Sequence, residues 1–453
     1  MAMHEHYVLP SHPSVFSLDP LGICENDNPT AWEVIVTSIQ SFRAQAAQSI
    51  HQLPSLIQDL SYSIKLDGKL DTGFLSRFLL RKYSDVPGVL ATTTLDHILD
   101  AALSLPTLFP GDTIQYLGED NRSCRLSYSK ITALLAHQIL NTLSPPVGNT
   151  WGCTFSCWYS EPQPLEQAVF GYLTALFDFF TISDSDLVEI TYLYRTIPLD
   201  MNSNLGGCTD INAFDNLVIE PTSTRTIAFP HSSVPCTLIA SNQSPGFGAA
   251  CTQEELVTAA CPPLLPLGSL FISPPVPMDV AVVAHGYVPL SHWQGQGREA
   301  FCLERFTTAQ HTFLLVDAAE LDQSNGELPD LEPSCLVRDL HKLYTGFSVL
   351  AELGVKNIAS PIWGAGSFEG NPIVKTILLS LAASRAGITL HLSVDRERDF
   401  VTRPNSTMNL LFVLEKLQCI GKDFSTGDVI QRLIQSQQAE CRNTSQLLGI
   451  FNI

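Results

Sequence analysis

Thr252-Gln253-Glu254-Glu255-Leu256 places two adjacent carboxylates at what reads as the start of a short helix. A glycine-containing loop, Asn242-Gln243-Ser244-Pro245-Gly246-Phe247-Gly248, comes just before it. Thr252 and Glu255 have the spacing of a capping box, in which the two side chains satisfy the first backbone N–H groups of a helix. The same carboxylates can also be read as chemistry. A glycosidic bond breaks through an oxocarbenium-like transition state and releases a poor alkoxide leaving group, so its hydrolysis needs a carboxylic acid that donates a proton. Such a donor keeps its proton near neutrality when an apolar wall or a neighbouring carboxylate raises its pKa, and Glu254 beside Glu255 offers the second arrangement. A helix dipole pulls the other way. Pattern alone leaves both readings open, a cap and a catalytic pair.

Outward from this stretch the chain alternates. Strand patterns rich in β-branched and aromatic residues run over Leu187–Arg195, Asn216–Glu220, Cys236–Ala240, Asp279–Ala284, Thr312–Asp317 and Ile388–Val394. Helical patterns at Glu254–Ala260, Cys335–Ala351 and Pro372–Ala386 lie between several of them. Asn202–Gly207 reads as a loop, Gln418–Gln438 as a late helix, and Leu447–Ile453 as a tail or edge strand. Such alternation predicts an α/β sheet with helices on its faces. Residues 1–30 look irregular. Helical spacing then recurs at Trp32–Ala46, Leu53–Leu66, Leu75–Arg81, Leu95–Leu103, Ser127–Leu140 and Pro164–Phe180, with Ser127 or Ser129 as N-cap of the fifth. The expected organisation is an irregular segment over 1–30, an all-helical accessory domain over 31–183 and an α/β domain over 184–453.

A second turn stands out. Gly364-Ala365-Gly366-Ser367-Phe368-Glu369-Gly370-Asn371-Pro372 opens a helix and misses G-x-G-x-x-G by one residue. Pro372 suits the first helical turn and Gly387 the far cap. Free N–H groups at such a start favour a phosphate, and the alternative is a tight connection with no ligand.

Composition narrows the rest. The chain has 453 residues, 25 Lys+Arg against 45 Asp+Glu and a formal charge of −20, where a non-specific nucleic-acid binder would carry a basic stripe. An anionic ligand must then be held by local donors. The twelve cysteines are scattered, with Cys153 and Cys157 the closest pair, which gives no zinc spacing and suits a reducing compartment. The start, Met1 to His6, lacks the pattern of a signal peptide, and no apolar run approaches the roughly 20 residues of a membrane span. The sequon at Asn405 carries no meaning in an intracellular protein. H-E-x-x-H, G-x-S-x-G and the Walker A motif are absent.

Gln253-Glu254-Glu255 and Trp363-Gly-Ala-Gly-Ser-Phe368-Glu-Gly370-Asn-Pro-Ile-Val-Lys375, followed by Leu381-Ala-Ala-Ser, resemble the two signature segments of the poly(ADP-ribose) glycohydrolases. Leu126-Ser-Tyr-Ser-Lys-Ile-Thr-Ala-Leu-Leu-Ala resembles that family's accessory helix, and the similarity runs in order over roughly residues 50–450. The resemblance implies a macrodomain-like mixed β-sheet flanked by helices, with the helical accessory domain in front. It implies hydrolysis of the ribose–ribose O-glycosidic bonds of poly(ADP-ribose) to release ADP-ribose, without metal or organic cofactor. Carried over by position, Glu255 is the general acid and base and Glu254 holds ribose hydroxyls. Asn242 is the ribose-contacting asparagine, and Ile227 lines the adenine pocket. Gln253, Gly246, Phe247 and Gly248 belong to the first substrate loop. Trp363, Gly364, Ala365, Gly366, Ser367 and Phe368 form the second, diphosphate-binding loop. The expected partners are poly(ADP-ribose) or ADP-ribosylated proteins. The expected setting is a monomer in the nucleus or cytoplasm, in the response to DNA damage, with no nucleic-acid or membrane contact.

The departures are specific. Gln243-Ser244-Pro245 stands where the family's triple glycine is expected, and proline has no N–H to offer a phosphate. Leu238-Ile-Ala-Ser precedes Asn242 without the family's acidic residue. Trp293 and Phe301 are candidates for the aromatic that clasps adenosine, with a core aromatic as the alternative for each. This fits a divergent branch, expected to be fungal. Two rival readings stay open: a macrodomain that reads ADP-ribose without cutting the polymer, and an unrelated sugar or nucleotide hydrolase on a similar sheet.

Overall fold

The structure, a computed structural model, describes residues 5–45, 49–65, 70–145, 152–183, 185–196, 212–223, 227–231, 234–273, 275–295, 297–322, 328–396, 400–403, 406–421, 424–438, 441 and 443–451. The chain forms two compact units. The first comprises Met1–Tyr192, Ser244–Pro275 and Gly286–Gln310, and the second Leu193–Gln243, Val276–His285 and His311–Ile453.

The first unit is built mainly from helices. Ala31–Arg43 starts at a capping box of Thr30 and Glu33, buries Val34, Ile35, Ile39 and Phe42 along one stripe, and packs on Leu53–Lys65. Gly73–Tyr83, Gly88–Leu103, Tyr128–Ile139 and Glu166–Phe179 follow. Ser127 is the N-cap of Tyr128–Ile139 by position, although its side chain makes no capping bond. Glu166–Phe179 is buried along nearly its whole length and packs on Gln253–Ala260. Gly171 is required on it, because a Cβ there would fall 2.5 Å from the Trp293 ring.

In the second unit, strand Cys236–Ser241 lies between residues 312–317 of the long strand Phe301–Asp317 and strand Asn357–Ser360. Asn357–Ser360 pairs onward with Thr389–Asp395, and that with Leu217–Thr222. All four pairings are parallel, so each needs a crossover. Helix Pro333–Glu352 carries the chain from Asp317 to Asn357, and Pro372–Ala386 carries it from Ser360 to Thr389. Strand Val280–Gln294 neighbours Phe301–Asp317 and also pairs with Ile227–Phe229. The short link 295–300 between the two long strands allows only an antiparallel pairing, so the sheet is mixed. The helices cover it with a core that includes Leu238, Leu314, Val316, Phe347, Ile377, Leu390 and Leu414.

The structure corrects several expectations. Within the stretch read as a tail or edge strand, Leu447–Ile450 is helical: it ends the helix Thr444–Ile450, whose cap, Asn443, accepts from the Gln446 N–H at 3.0 Å, and residues 452–453 lie outside the described residues. Gln418–Gln438 is two helices, Leu410–Gly421 and Thr426–Gln438, because Ser425 and Asp428 start a new helix by capping each other. The strands read at 279–284 and 312–317 are the apolar ends of much longer ones. The loop at 202–207 and the sequon at Asn405 lie outside the described residues. Every described cysteine is a free thiol, and no helix among the described residues is long and apolar enough to cross a membrane.

Two buried histidines give the fold an acid limit. His137 Nε2 lies 3.0 Å from the Ala102 carbonyl and must donate to it, so Nδ1 accepts from the Thr142 hydroxyl at 2.7 Å. Burial drives His137 down to about 4, against that hydrogen bond, and burial drives His311 down to about 4 as well. Both are neutral in the native state, whereas the unfolded chain binds protons below an ordinary histidine value of about 6.5. Stability from these groups is therefore present above pH 6.5 and lost as pH falls toward 4. Each site is expected to remove about 2 kcal/mol between pH 7 and pH 5, read by urea unfolding. His137→Gln should reduce the difference, and an unchanged pH dependence in that variant would contradict the assignment.

Candidate active site

Within the first unit, the helix Gln253–Ala260 begins with the capping box read from the sequence. The Thr252 side chain accepts from Glu255 N–H at 3.3 Å, and Glu255 Oε2 accepts from Thr252 N–H at 2.8 Å. Glu255 is 0% exposed, and among the described residues its Oε1 has no hydrogen-bond partner. A buried carboxylate oxygen left unpaired costs free energy, so its retention points to a role for that oxygen. Glu254 is also buried, and its Oε1 accepts from the Gly246 N–H at 3.0 Å. The carboxylate thus pulls the loop down onto the helix start.

The loop has further anchors in the same unit. The Trp158 indole donates to the Gly248 carbonyl at 2.6 Å. Phe247 packs its ring 4.9 Å from Phe155 and 5.2 Å from Trp158. At 1% exposed, Phe247 anchors the loop in the core. Trp293 is likewise core: it is fully buried, packs against Tyr172 with the two rings tilted at 42°, and donates to Ser291 Oγ at 2.9 Å. Phe301 is half-buried at the start of its strand. Cys251, just before the cap, is held in the left-handed region at φ 59°, an uncommon conformation for a residue with a side chain. Among the described residues the N–H groups of Phe247, Gly248, Ala249, Ala250 and Cys251 have no partner. Successive free donors of this kind suit an anion. Desolvation pushes the Cys157 thiol up to about 12, and burial, with Cys251 beside it, holds the Tyr172 phenol far above its ordinary value, so both stay protonated.

Gly268 explains how tightly the loop is seated. A Cβ there would lie 2.0 Å from the Pro245 carbonyl oxygen, a backbone atom that can yield only if the loop moves. Gly268→Ala is therefore expected to displace the loop and to cost about 1–3 kcal/mol of stability, read by urea unfolding. Wild-type stability in that variant would show that the loop is not held by this contact.

In the second unit, three loops meet at the carboxyl ends of neighbouring parallel strands. Asn242 follows Cys236–Ser241, residues 318–321 follow Asp317, and residues 361–370 follow Asn357–Ser360. Ligands of open α/β sheets bind at such ends. Trp363 is fully buried and donates to the Val316 carbonyl at 2.9 Å, so it anchors its loop. Gly364 takes φ 74°, and the loop closes through Gly370 N–H to Gly364 O at 3.0 Å. Ala365 N–H returns to Ile362 O at 3.1 Å, while the N–H groups of Gly366, Ser367 and Phe368 have no partner among the described residues. Gly366 and Ser367 are exposed. Ile227 opens the short strand Ile227–Phe229.

Behind this loop is a cluster that sequence reading missed. Lys375 Nζ lies 2.5 Å from Asp339 Oδ2 and 3.0 Å from Asp330 Oδ1. All three side chains are buried. Burial pulls the ammonium down, but Asp339 and Asp330 outweigh it and hold Lys375 above its ordinary value. Its Cε fills the space where a Cβ of Gly370 would lie, 2.3 Å away, and Nζ sits 5.4 Å from the Trp363 ring centre. Asp330 Oδ2 accepts from Asn371 N–H at 2.7 Å, and Asn371 caps the helix Pro372–Ala386. Arg338 pairs with Asp317 and with Asp339, and Lys342 with Asp317 at 2.8 Å. Three cations and three carboxylates balance. Lys375 is thus committed to the protein and is not a phosphate ligand. Nothing in the spacing of these residues signals their meeting. Among the described residues no group of three or more His, Cys, Asp or Glu could hold a metal ion.

A mixed sheet with donor-rich loops at the carboxyl ends of its parallel strands is an open α/β architecture with the ligand-binding end that such sheets use. Residues 240–400 match the family model of the poly(ADP-ribose) glycohydrolase catalytic domain, described as having the macro domain fold. Among solved structures, the chain is similar to the poly(ADP-ribose) glycohydrolase from Deinococcus radiodurans in complex with ADP-ribose, at 17% identity, covering 44% of this chain and 85% of that one, with a TM-score of 0.30. A mutant of the same protein with ADP-ribose matches at 15% identity, 45% and 87% coverage and a TM-score of 0.32. No curated protein matches the chain.

Proposed function

We propose that this protein is a poly(ADP-ribose) glycohydrolase, a glycosidase that cleaves ribose–ribose O-glycosidic bonds and releases ADP-ribose. The observation that carries the reading is Glu255: one carboxylate oxygen is fixed by the Thr252 N–H, and the other is buried and unpaired at the start of a helix. Glu255 in its protonated form gives its proton to the departing ribose oxygen. The carboxylate left behind takes a proton from the water that attacks the anomeric carbon, which restores the acid. The unengaged N–H groups of residues 247–251, in the same unit as Glu255, are donors for the diphosphate. The test is release of ADP-ribose from purified polymer by the full chain, and no release would overturn the reading.

One observation favours a second reading, a macrodomain that binds ADP-ribose without cutting polymer. The Gly246 N–H is taken by Glu254, and Pro245 has no N–H, so the first loop offers fewer donors than a triple glycine. Calorimetry with ADP-ribose alongside the polymer assay separates the two. The proposal extends to a monomer acting on ADP-ribosylated proteins in the nucleus or cytoplasm, in the response to DNA damage. The charge of −20 supports recognition of the polymer by local donors and not by an attractive field.

A further inference from the structure

We propose that Glu320 is a specificity-determining residue of this site, which with Asn242 grips the vicinal hydroxyls of a ribose. The inference rests on the reading of the site as one for ADP-ribose. Strand Cys236–Ser241 carries no carboxylate, and none lies between it and Asn242. The neighbouring strand supplies one. Parallel register pairs Ser241 with Asp317, so the residues that follow, Asn242 and the 318–321 segment, emerge side by side. Asn242 Nδ2 lies 3.3 Å from Glu320 Oε1 and donates to it. That bond sets which end of the amide points where, with Nδ2 toward Glu320 and Oδ1 on the opposite side.

Glu320 is exposed, yet its backbone is pinned on both sides. Ala319 N–H donates to the buried Asp339 Oδ1 at 2.9 Å, and Leu321 N–H donates to the Phe368 carbonyl at 3.1 Å. Ala318 packs where a Cβ of Gly364 would lie, 2.7 Å from that position. The backbone at Glu320 is therefore fixed next to the loop whose N–H groups at 366–368 have no partner among the described residues, and its carboxylate is held by Asn242. A carboxylate accepts two O–H bonds at once, and a vicinal diol offers two. Acidic side chains at the carboxyl ends of parallel strands take ribose hydroxyls in dinucleotide-binding sheets by the same chemistry. Loss of a hydrogen bond to a charged group is worth about tenfold or more in affinity.

The experiment is calorimetry on the full chain with ADP-ribose and with an analogue lacking the 2-hydroxyl of the terminal ribose. Wild type is expected to prefer ADP-ribose by about tenfold or more. Glu320→Ala should bind ADP-ribose about tenfold more weakly and bind both ligands nearly alike. Glu320→Gln, which keeps an acceptor, should recover part of the preference. The side chain is exposed, so all three proteins should unfold at the same temperature. Glu320→Ala with unchanged affinity and preference would overturn the role of Glu320 and leave the ADP-ribose reading standing. Weaker binding with the preference intact would also overturn it, because the residue would then only support the loop. Absence of ADP-ribose binding by wild type would overturn both.

Discussion

Glu255→Gln is expected to lower ADP-ribose release from polymer by about 10²- to 10⁴-fold, the range that a positioned general acid and base contributes. Affinity for ADP-ribose should stay as in wild type, since the amide keeps size, shape and an acceptor oxygen. Stability should change little too: glutamine serves in a capping box as glutamate does, so the bond from Thr252 N–H survives. Glu255→Ala removes the reciprocal bond and should add a stability loss of about 1 kcal/mol. The two variants therefore separate chemistry from capping. Equal turnover by wild type and Glu255→Gln would dismiss Glu255 as the proton donor, and a matching fall in melting temperature would assign the loss to folding instead.

Lys375→Met should have the largest effect on stability. It leaves Asp330 and Asp339 buried with one cation fewer. Stranding a buried charge typically costs 3–5 kcal/mol, roughly 10 °C in melting temperature for a chain unit of this size. The loop 363–370 wraps the Lys375 stem, so ADP-ribose binding should weaken with it. Adding Asp330→Asn should recover part of the stability, because it removes one stranded charge and keeps an acceptor for the Asn371 N–H. Calorimetric unfolding of the single and double variants reads both. A Lys375→Met protein that melts with wild type would show that the cluster is not a brace.

How much the sequence disclosed depended on how local the cause was. Pro372–Ala386 was legible to the residue, because a proline opens it and Gly387 closes it in the left-handed region at φ 66°. The capping box at Thr252 was equally plain, being contained in four residues. The long strands were legible only at their apolar ends. Residues 301–310 are half-buried or exposed and carry no clean alternation, so nothing marked them as strand. Asn357–Ser360 was too short to stand out. In the site, both glutamates and both loops could be named, but not which side chains turn inward. The burial of Phe247 and Trp363 was not legible, since an aromatic beside glycines gives no clue to its direction. Glu320, Trp158 and Gly268 were invisible, because each acts through a residue that only folding brings near.

The reciprocal cap at Thr252 and Glu255 also bears on how such a chain can evolve. Where a catalytic residue does nothing but catalysis, drift can remove it in many ways. Here most replacements of Glu255 also weaken the helix start, and selection for a folded protein would discard them. Glutamine escapes that filter, and a glutamate codon becomes a glutamine codon by a single base change. On the proposed role of Glu255, a lineage built on this scaffold could therefore exchange cutting for reading in one step, with its fold intact.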